Sequence, residues 1–261
     1  MSEHLDSCVV CGARPTVKSH LFPRALVRRI RGDDKHVTQG DRVRLGVKLT
    51  QSGPWDDSIL CDTHESLLGP FDDYIARFCS RFSESAVISS SGNSYNCPNP
   101  KPDLLLGFAY ATIWRFAVSK HGAMHHLQLG PYQLLLEHHL FHGHRIELQA
   151  ILGRANVVDP RGKSVEVGIA PYRVKLRDWN LWHFAVGGFD FYVKTDQRPF
   201  PRSWKPFLLN DNDPVAMPLI DPQALHDIPK FQSIFQNMIA RRAQEFGEHD
   251  KNSGDRIPRL R

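Results

Sequence analysis

The pattern of hydrophobic and polar positions predicts several helices. After Asp103, which can cap a helix, apolar residues recur at helical spacing through Leu104, Phe108, Ile113 and Phe116. A short helix is predicted over residues 23–32, with Pro23 near its start and Gly32 at its end, and arginines at i, i+4 and i+7 share one of its faces. Further helices are predicted from residue 61 onward, at 130–143, where Gly143 would end the helix, and at about 230–246.

From Arg145 onward apolar and polar residues alternate, which indicates strands. The stretch LWHFAVGGFDFYVKT is β-rich on both sides of Gly187 and Gly188. Two adjacent glycines between such runs predict a hairpin, because the turn needs a positive φ at both central residues. The sequence therefore predicts an α+β protein with an antiparallel β segment in its second half.

Composition suggests where the chain divides. Residues 89–103 read SSSGNSYNCPNPKPD, which is typical of a loop. We predict an N-terminal module at 1–88, a linker at 89–102, an α+β domain of unassigned role at 103–246 and a mobile polar tail at 247–261.

Charge and composition indicate which classes of protein are compatible with the sequence. Of the 261 residues, 41% are hydrophobic and 23% charged, a balance typical of a folded chain and not of a disordered one. The net charge of +5 permits binding to nucleic acid. The sequence opens without an apolar leader, and its most apolar run, residues 104–118, contains Arg115. We expect a cytoplasmic protein with no membrane segment.

Two ligand-like pairs stand out among the few cysteines. Cys8 and Cys11 form a Cys-x-x-Cys pair, and Cys61 and His64 form a Cys-x-x-His pair at a predicted helix start. Thiols stay reduced in the cytoplasm, and thiolates with imidazole are the ligands that structural Zn²⁺ prefers. The spacing predicts a treble-clef zinc site, and the alternative is ordinary buried cysteines beside a histidine at a helix start.

The fragments CVVCG, KSHLFPRAL and ILCDTHESLLGPFDDY together resemble bacterial HNH-endonuclease-like proteins. Their pattern is Cys-x-x-Cys, then Ser-His-x-x-Pro, then Leu-Cys-x-x-Cys or His followed by Glu, and it covers roughly the first third of the chain. The resemblance implies a ββα-metal module, in which a hairpin and a helix surround a catalytic metal and a separate zinc stabilises the fold. It also implies hydrolysis of phosphodiester bonds.

The same resemblance implies roles for individual residues. His20 takes the place of the general base, Asp56 falls near the residue that orients it, and Glu65 falls on the last metal-binding position. In HNH nucleases the residue before that histidine is usually an acidic metal ligand, and here it is Ser19. A catalytic Mg²⁺ or Mn²⁺ would prefer carboxylate oxygens, and Asp72 and Asp73 are the nearest further candidates. The alternatives are that Glu65 only caps a helix and that His20 is structural.

A basic stretch adjoins these motifs. Between residues 18 and 48 lie nine basic and three acidic residues. A helix face of this kind can lie along a phosphate backbone, and a solvated surface is the alternative. The residues predicted to bind nucleic acid are Lys18, Arg24, Arg28 and Arg31.

Histidines are concentrated between residues 121 and 144. His138 and His142 have the i, i+4 spacing with which a helix can chelate a metal, but no H-E-x-x-H pattern accompanies them. A surface or interface cluster is the alternative.

The sequence therefore favours a metal-dependent nuclease of the HNH class acting on DNA or RNA, with structural Zn²⁺ and a catalytic Mg²⁺ or Mn²⁺. One alternative is a non-catalytic, zinc-stabilised nucleic-acid-binding module. Another is an interaction protein, such as a subunit of a bacterial defence or toxin system, that binds a protein partner or a second copy of itself.

Overall fold

The computed structural model of the chain is a mixed α+β structure. Residues described by it are 6–32, 35–41, 46–90, 92, 94–97, 100–120, 127–155, 166, 168–176, 178–196, 198–210 and 215–220. The predicted helix at 230–246, the tail at 247–261 and His121, His125 and His126 lie outside these residues.

The first half of the chain contains a hairpin-like strand pair followed by a long helix. Its elements are β1 (Thr16–His20), α1 (Arg24–Arg31), β2 (Val37–Asp41), β3 (Gly46–Thr50), β4 (Trp55–Cys61), α2 (Asp62–Ser85), β5 (Val87–Ile88) and β6 (Ser94–Cys97). Strands β1 and β4 pair antiparallel, as do β2 and β3, and β4 leads directly into α2.

The second half contains two helices and most of a large sheet. Its elements are α3 (Pro102–Val118), α4 (Tyr132–His142), β7 (Ala150–Ala155), β8 (Ile169–Leu176), β9 (Trp179–Val186), β10 (Phe189–Lys194), a 3₁₀ helix (Arg202–Phe207) and β11 (Val215–Ile220). The sheet has seven strands in the order β5-β6-β11-β7-β10-β9-β8. All its pairs are antiparallel except β11 with β7, which confirms the predicted α+β class.

Helix α3 is the centre of the hydrophobic core. Every residue from 105 to 116 is buried, so the helix is covered on all sides rather than on the single face that the spacing predicted. Phe108 and Phe116 contact aromatic rings of the sheet and of the β1–α1 connection, with centroids 5.3 Å from Phe191 and 5.0 Å from Phe22. Helices α2 and α4 pack against α3, which accounts for the burial of its remaining surface. Lys101 precedes the helix and Pro102 opens it, so Asp103 lies in the first turn and does not cap it.

Several local predictions are confirmed. Helix α1 ends at Gly32, and α4 ends at Gly143, whose φ of 70° satisfies a left-handed helix terminus. Gly187 and Gly188 connect β9 to β10 with φ of 63° and 80°, as the hairpin prediction required. Helix α2 continues through Pro70, so the Gly69–Pro70 step does not end it.

The stretch predicted as a linker is not loop throughout. Strand β6 lies within it and pairs with β11, and its end residues Ser94 and Cys97 are buried. The Ser- and Asn-rich composition hid this strand because two of its four side chains are polar. One hydrophobic core contains residues from both sides of this stretch.

No helix among these described ranges combines the length and the apolarity that crossing a membrane requires.

The close contact of α2 with α3 depends on Gly107. A Cβ at this position would overlap the ring of Phe71 on α2. We expect Gly107→Ala to lower the free energy of unfolding by about 1–3 kcal/mol, because overpacking displaces the ring. In a Phe71→Ala background the same change should cost nothing, since the ring is gone and alanine favours helix over glycine. Denaturant unfolding of the four variants measures this; equal costs in both backgrounds would contradict it.

Candidate functional site

The first ligand pair lies in a tight turn ahead of β1. The Gly12 amide donates to the Cys8 carbonyl oxygen at 2.7 Å, and the Cys8 amide donates to Ala13 at 2.9 Å. Gly12 has a φ of 73°, which the turn needs and which glycine adopts without strain. The Val9 amide donates to the Ile59 carbonyl at 2.9 Å, so the turn is bonded to β4. Cys8 and Cys11 are thereby brought to the end of that strand.

The second ligand pair lies where β4 becomes α2. Cys61 is the last strand residue and precedes the first turn of the helix, with extended backbone at φ −78° and ψ 165°. His64 lies one turn into α2 and its ring edge contacts Phe141 of α4, with centroids 5.3 Å apart. A strand-to-helix junction therefore presents a thiol and an imidazole to the Cys8–Cys11 turn.

These four side chains form one group, which we call the Cys/His centre: Cys8, Cys11, Cys61 and His64. Their ligand atoms all lie within 4.8 Å of one another. The His64 Nδ1 atom is 3.6, 3.5 and 3.3 Å from the Sγ atoms of Cys8, Cys11 and Cys61. The Sγ atoms of Cys11 and Cys61 are 3.9 Å apart, and all of these cysteines are free thiols.

The spacing of the Cys/His centre fits a tetrahedral zinc shell. Zn–S bonds of about 2.3 Å and Zn–N bonds of about 2.0–2.1 Å give edges of about 3.8 Å between sulfurs and about 3.5 Å between sulfur and nitrogen. The observed separations are 3.9 Å and 3.3–3.6 Å. The predicted ligand set is therefore confirmed as a group that can hold a metal ion, and its donors are consistent with structural zinc.

Backbone hydrogen bonds lower the pKa of the Cys8 thiol. Burial raises its pKa, but hydrogen bonds from the backbone at Cys61, Cys11 and Val10 outweigh burial, and the pKa falls below its usual value. A thiolate held by backbone amides is the form that coordinates zinc.

His20, the predicted general base, is the last residue of β1 and lies directly opposite Trp55 of β4. Its side chain is half-buried, and its Nε2 atom is enclosed without a hydrogen-bond partner. Burial is the largest cause that lowers its pKa, to about 4, and positive charges add to this effect. Those charges are on Lys18, Arg24 and Arg115. The imidazole is therefore neutral near pH 7.

Asp56, which sequence placed near His20 as its orienting residue, is bonded elsewhere. Its buried carboxylate accepts hydrogen bonds from the Ser58 amide at 2.8 Å and hydroxyl at 2.6 Å. It also accepts from the Ser119 hydroxyl at 2.8 Å and the Lys120 amide at 2.7 Å. Burial raises the pKa of Asp56, but these bonds outweigh burial and lower it. The carboxylate thus joins β4 to the end of α3, and no bond to it from His20 occurs among the described residues.

Glu65 belongs to a buried ionic group that sequence analysis did not find. The Ser19 hydroxyl donates to its Oε2 atom at 2.7 Å, and Arg115 Nη2 lies 3.4 Å from its Oε1 atom. Arg115 also donates through Nη1 and Nη2 to the two carboxylate oxygens of Asp72, at 3.0 and 2.9 Å. We call Ser19, Glu65, Asp72 and Arg115 the Arg115 cluster.

Burial dominates the electrostatics of the Arg115 cluster. The Arg115 side chain has no exposed surface, and its Nε atom has no hydrogen-bond partner. Burial raises the pKa of Glu65, the charge of Asp72 adds to this, and Arg115 and Ser19 oppose it. A guanidinium is therefore already paired with Glu65 and Asp72, the carboxylates that sequence suggested for a catalytic metal. Asp73 is exposed and lies outside the cluster.

One feature of the sequence indicated this cluster. Arg115 is the charged residue that interrupts the most apolar stretch of the chain. A charge in a helix that is buried all round must be paired, because an isolated buried charge is costly. That argument predicts a partner for Arg115 but not which carboxylate supplies it.

The predicted basic face is partly solvent-exposed. Lys18, Arg24 and Arg28 are exposed, whereas Arg31 is half-buried and its Nη1 lies 3.4 Å from the Gln51 carbonyl oxygen. Three of the four residues predicted to bind nucleic acid therefore present their charge to solvent beside His20 and α1.

Within the described part of the chain, the histidines of α4 do not belong to a group of three or more metal-ligand side chains. The rings of His138 and His142 are 5.5 Å apart and those of His138 and His144 are 5.0 Å apart. His139 Nδ1 donates to the His144 carbonyl oxygen at 2.8 Å. Over the residues that the structure covers, only the Cys/His centre brings three or more such ligands together.

No model of a known protein family, no curated protein and no solved structure matches the chain. Membership of the HNH-like proteins therefore stays a prediction, since a Cys/His group alone does not show a family.

The Cys/His centre predicts a specific loss of stability. Cys11 is exposed, so Cys11→Ser removes a ligand with little loss of packing. We expect loss of bound zinc and a fall of several kcal/mol in the free energy of unfolding, part of the roughly 10–16 kcal/mol that zinc contributes in zinc-finger peptides. Metal analysis and denaturant unfolding measure both. Val9→Ser, an exposed change in the same turn, is the control; equal stability of the two variants would contradict a metal-bound centre.

The Arg115 cluster predicts strong coupling between its members. Arg115→Met leaves two half-buried carboxylates without their cation and should cost up to about 3 kcal/mol of unfolding free energy. Asp72→Asn added to Arg115→Met should restore part of this loss, because one uncompensated charge disappears. Denaturant unfolding of the double-mutant cycle measures the coupling, and additive costs would show that the ion pair does not stabilise the fold.

Proposed function

We propose that the chain is a nuclease of the HNH class that hydrolyses phosphodiester bonds of nucleic acid with His20 as general base. The observation that carries the proposal is the state of His20. It is a neutral imidazole with a nitrogen that lacks a partner, at the end of a strand beside three positive charges. The strand pair β1–β4 and helix α2 that surround it are joined at the Cys/His centre.

The charges around His20 suit an anionic substrate. Lys18 and Arg24 are exposed beside it, and together with Arg115 they add to burial, the largest cause, in lowering its pKa to about 4. A bound phosphate would offset these charges and raise the pKa of the imidazole toward the range in which it accepts a proton efficiently. Binding of the substrate would thus activate the base.

The reaction is a hydrolysis. His20 accepts a proton from a water molecule whose oxygen forms a bond to phosphorus, and the bond from phosphorus to the leaving oxygen breaks. The leaving oxygen takes up a proton, so the products are a phosphate monoester and an alcohol. The zinc proposed at the Cys/His centre holds the strand pair against the helix and takes no part in the chemistry.

The positive charge that offsets the phosphoryl group has two candidate sources. The HNH resemblance implies Mg²⁺ or Mn²⁺ at Glu65, where Oε1 already faces Arg115 and Oε2 already accepts a hydrogen bond from Ser19. The other source is the exposed charge of Lys18 and Arg24, since Arg115 has no exposed surface and is paired with Asp72. The cleavage assay is therefore run both with and without an added divalent ion.

The second candidate is a non-catalytic, zinc-stabilised module that binds nucleic acid. The Arg115 cluster favours it, because both oxygens of Asp72 are bonded to Arg115 and so are not free to bind a metal. The exposed charges of Lys18, Arg24 and Arg28 would then serve binding alone, and the affinity would fall steeply with salt.

The deciding experiment compares His20→Ala with the parent protein. Plasmid DNA, single-stranded DNA and RNA are incubated with each protein, with added Mg²⁺, with added Mn²⁺ and without either. We expect cleavage by the parent and none by His20→Ala, because water loses its base, while zinc content and melting temperature stay the same. His142→Ala, an exposed histidine on α4, is the control and should cleave normally.

Cleavage that persists in His20→Ala would overturn the general-base assignment. Salt-sensitive gel shifts without cleavage in any buffer would overturn the nuclease and leave the binding module. Neither cleavage nor binding would favour the protein partner or second copy named among the sequence alternatives.

A further inference from the structure

One aromatic side chain lies beside His20 on the strand pair and has no role in the proposed chemistry. Trp55 is directly opposite His20 in the β1–β4 register, and directly opposed residues of antiparallel strands project to the same face. The Lys18 Nζ atom lies 4.1 Å from the centre of the Trp55 ring. The indole is half-buried and Lys18 is exposed. A base, an aromatic ring and an ammonium group therefore share one surface.

We infer that Trp55 is a stacking platform for one nucleobase and that the substrate is single-stranded nucleic acid, an inference that rests on the proposed function. Positively charged surfaces with interspersed aromatic rings are how proteins bind single strands, because the charges contact phosphates and the rings stack on bases. Here the ring and the charge are adjacent to the imidazole that would act on the backbone.

Lys18 does not prevent a base from using this ring. An exposed ammonium over an aromatic ring contributes only about a two- to fivefold effect on an equilibrium. Stacking of one base on an aromatic side chain contributes about five- to 150-fold in affinity. Stacking of a base therefore outweighs the loss of the Lys18 contact, and Lys18 remains close enough to contact the phosphate of the same nucleotide.

The geometry excludes a base that stays in a duplex. In double-stranded nucleic acid each base is paired and stacked between its neighbours, so its flat face cannot meet a ring on a protein surface. A base in a single strand exposes that face at little cost. Trp55 should therefore distinguish single strands from duplexes, for DNA and RNA alike.

The test uses the catalytically blocked His20→Ala protein, so that binding is measured without cleavage. A labelled short oligonucleotide is titrated as a single strand and as a duplex, with fluorescence anisotropy as the readout. Trp55→Leu should weaken single-strand binding at least about fivefold, and Trp55→Phe should restore most of it, because phenylalanine also stacks. Duplex affinity should not change.

The matched control is Trp204→Leu. Trp204 is also a half-buried indole, but it lies in the 3₁₀ helix and stacks on Phe200. We expect it to leave binding of both oligonucleotides unchanged. Unchanged single-strand affinity in Trp55→Leu, or an equal loss for single strand and duplex, would overturn the inference.

If the Trp55→Leu protein does not fold, fluorescence quenching in the Trp55→Phe protein tests the inference instead. A single strand should quench the tryptophan fluorescence of His20→Ala, and Trp55→Phe should lose that quenching while retaining zinc and melting temperature. Equal quenching in both proteins would overturn the inference.

Failure of the proposed function is separable from failure of the inference. A parent protein that never cleaves, yet binds single strands through Trp55, refutes the nuclease and keeps the stacking site. A parent protein that cleaves duplex and single strand equally, with Trp55→Leu unimpaired on both, keeps the nuclease and refutes the stacking site.

Discussion

The meeting of four ligand atoms at the Cys/His centre is the constraint on which the rest of the N-terminal structure depends. The turn that carries Cys8 and Cys11 precedes β1, whereas Cys61 and His64 lie about fifty residues later at the β4–α2 junction. The Val9–Ile59 backbone bond, the pairing of β1 with β4 and the hydrogen bond from Ser19 to Glu65 join the same parts of the chain. Joining them fixes β1, and with it His20, against the start of α2.

A second constraint is electrostatic and lies inside the molecule. The energetic cost of burying the Arg115 charge is offset because Asp72 accepts hydrogen bonds from both of its terminal nitrogens and because Glu65 lies nearby. The same guanidinium contributes to the low pKa of His20. The ionic group that joins α2 to α3 thus adds to burial, which is the largest cause of that low pKa, so that fold and proposed chemistry share one residue.

The sequence predicted features that depend on residues close together in the chain, and it missed features that depend on contacts between distant elements. The spacing within each ligand pair located the Cys/His centre, and paired glycines located the β9–β10 turn, because each pair consists of residues close together in the chain. The partners of Arg115 come from another helix, and Asp56 serves the end of α3 rather than His20, which no spacing rule could show. The polar composition around Ser94 concealed β6, whose strand character depends on β11.

The most direct test of the central claim is X-ray absorption at the zinc edge on the full-length protein as purified. The account predicts one zinc per chain with three sulfur neighbours at about 2.3 Å and one nitrogen neighbour at about 2.0–2.1 Å. Protein that is folded without zinc, or zinc surrounded by oxygen and nitrogen alone, would contradict it.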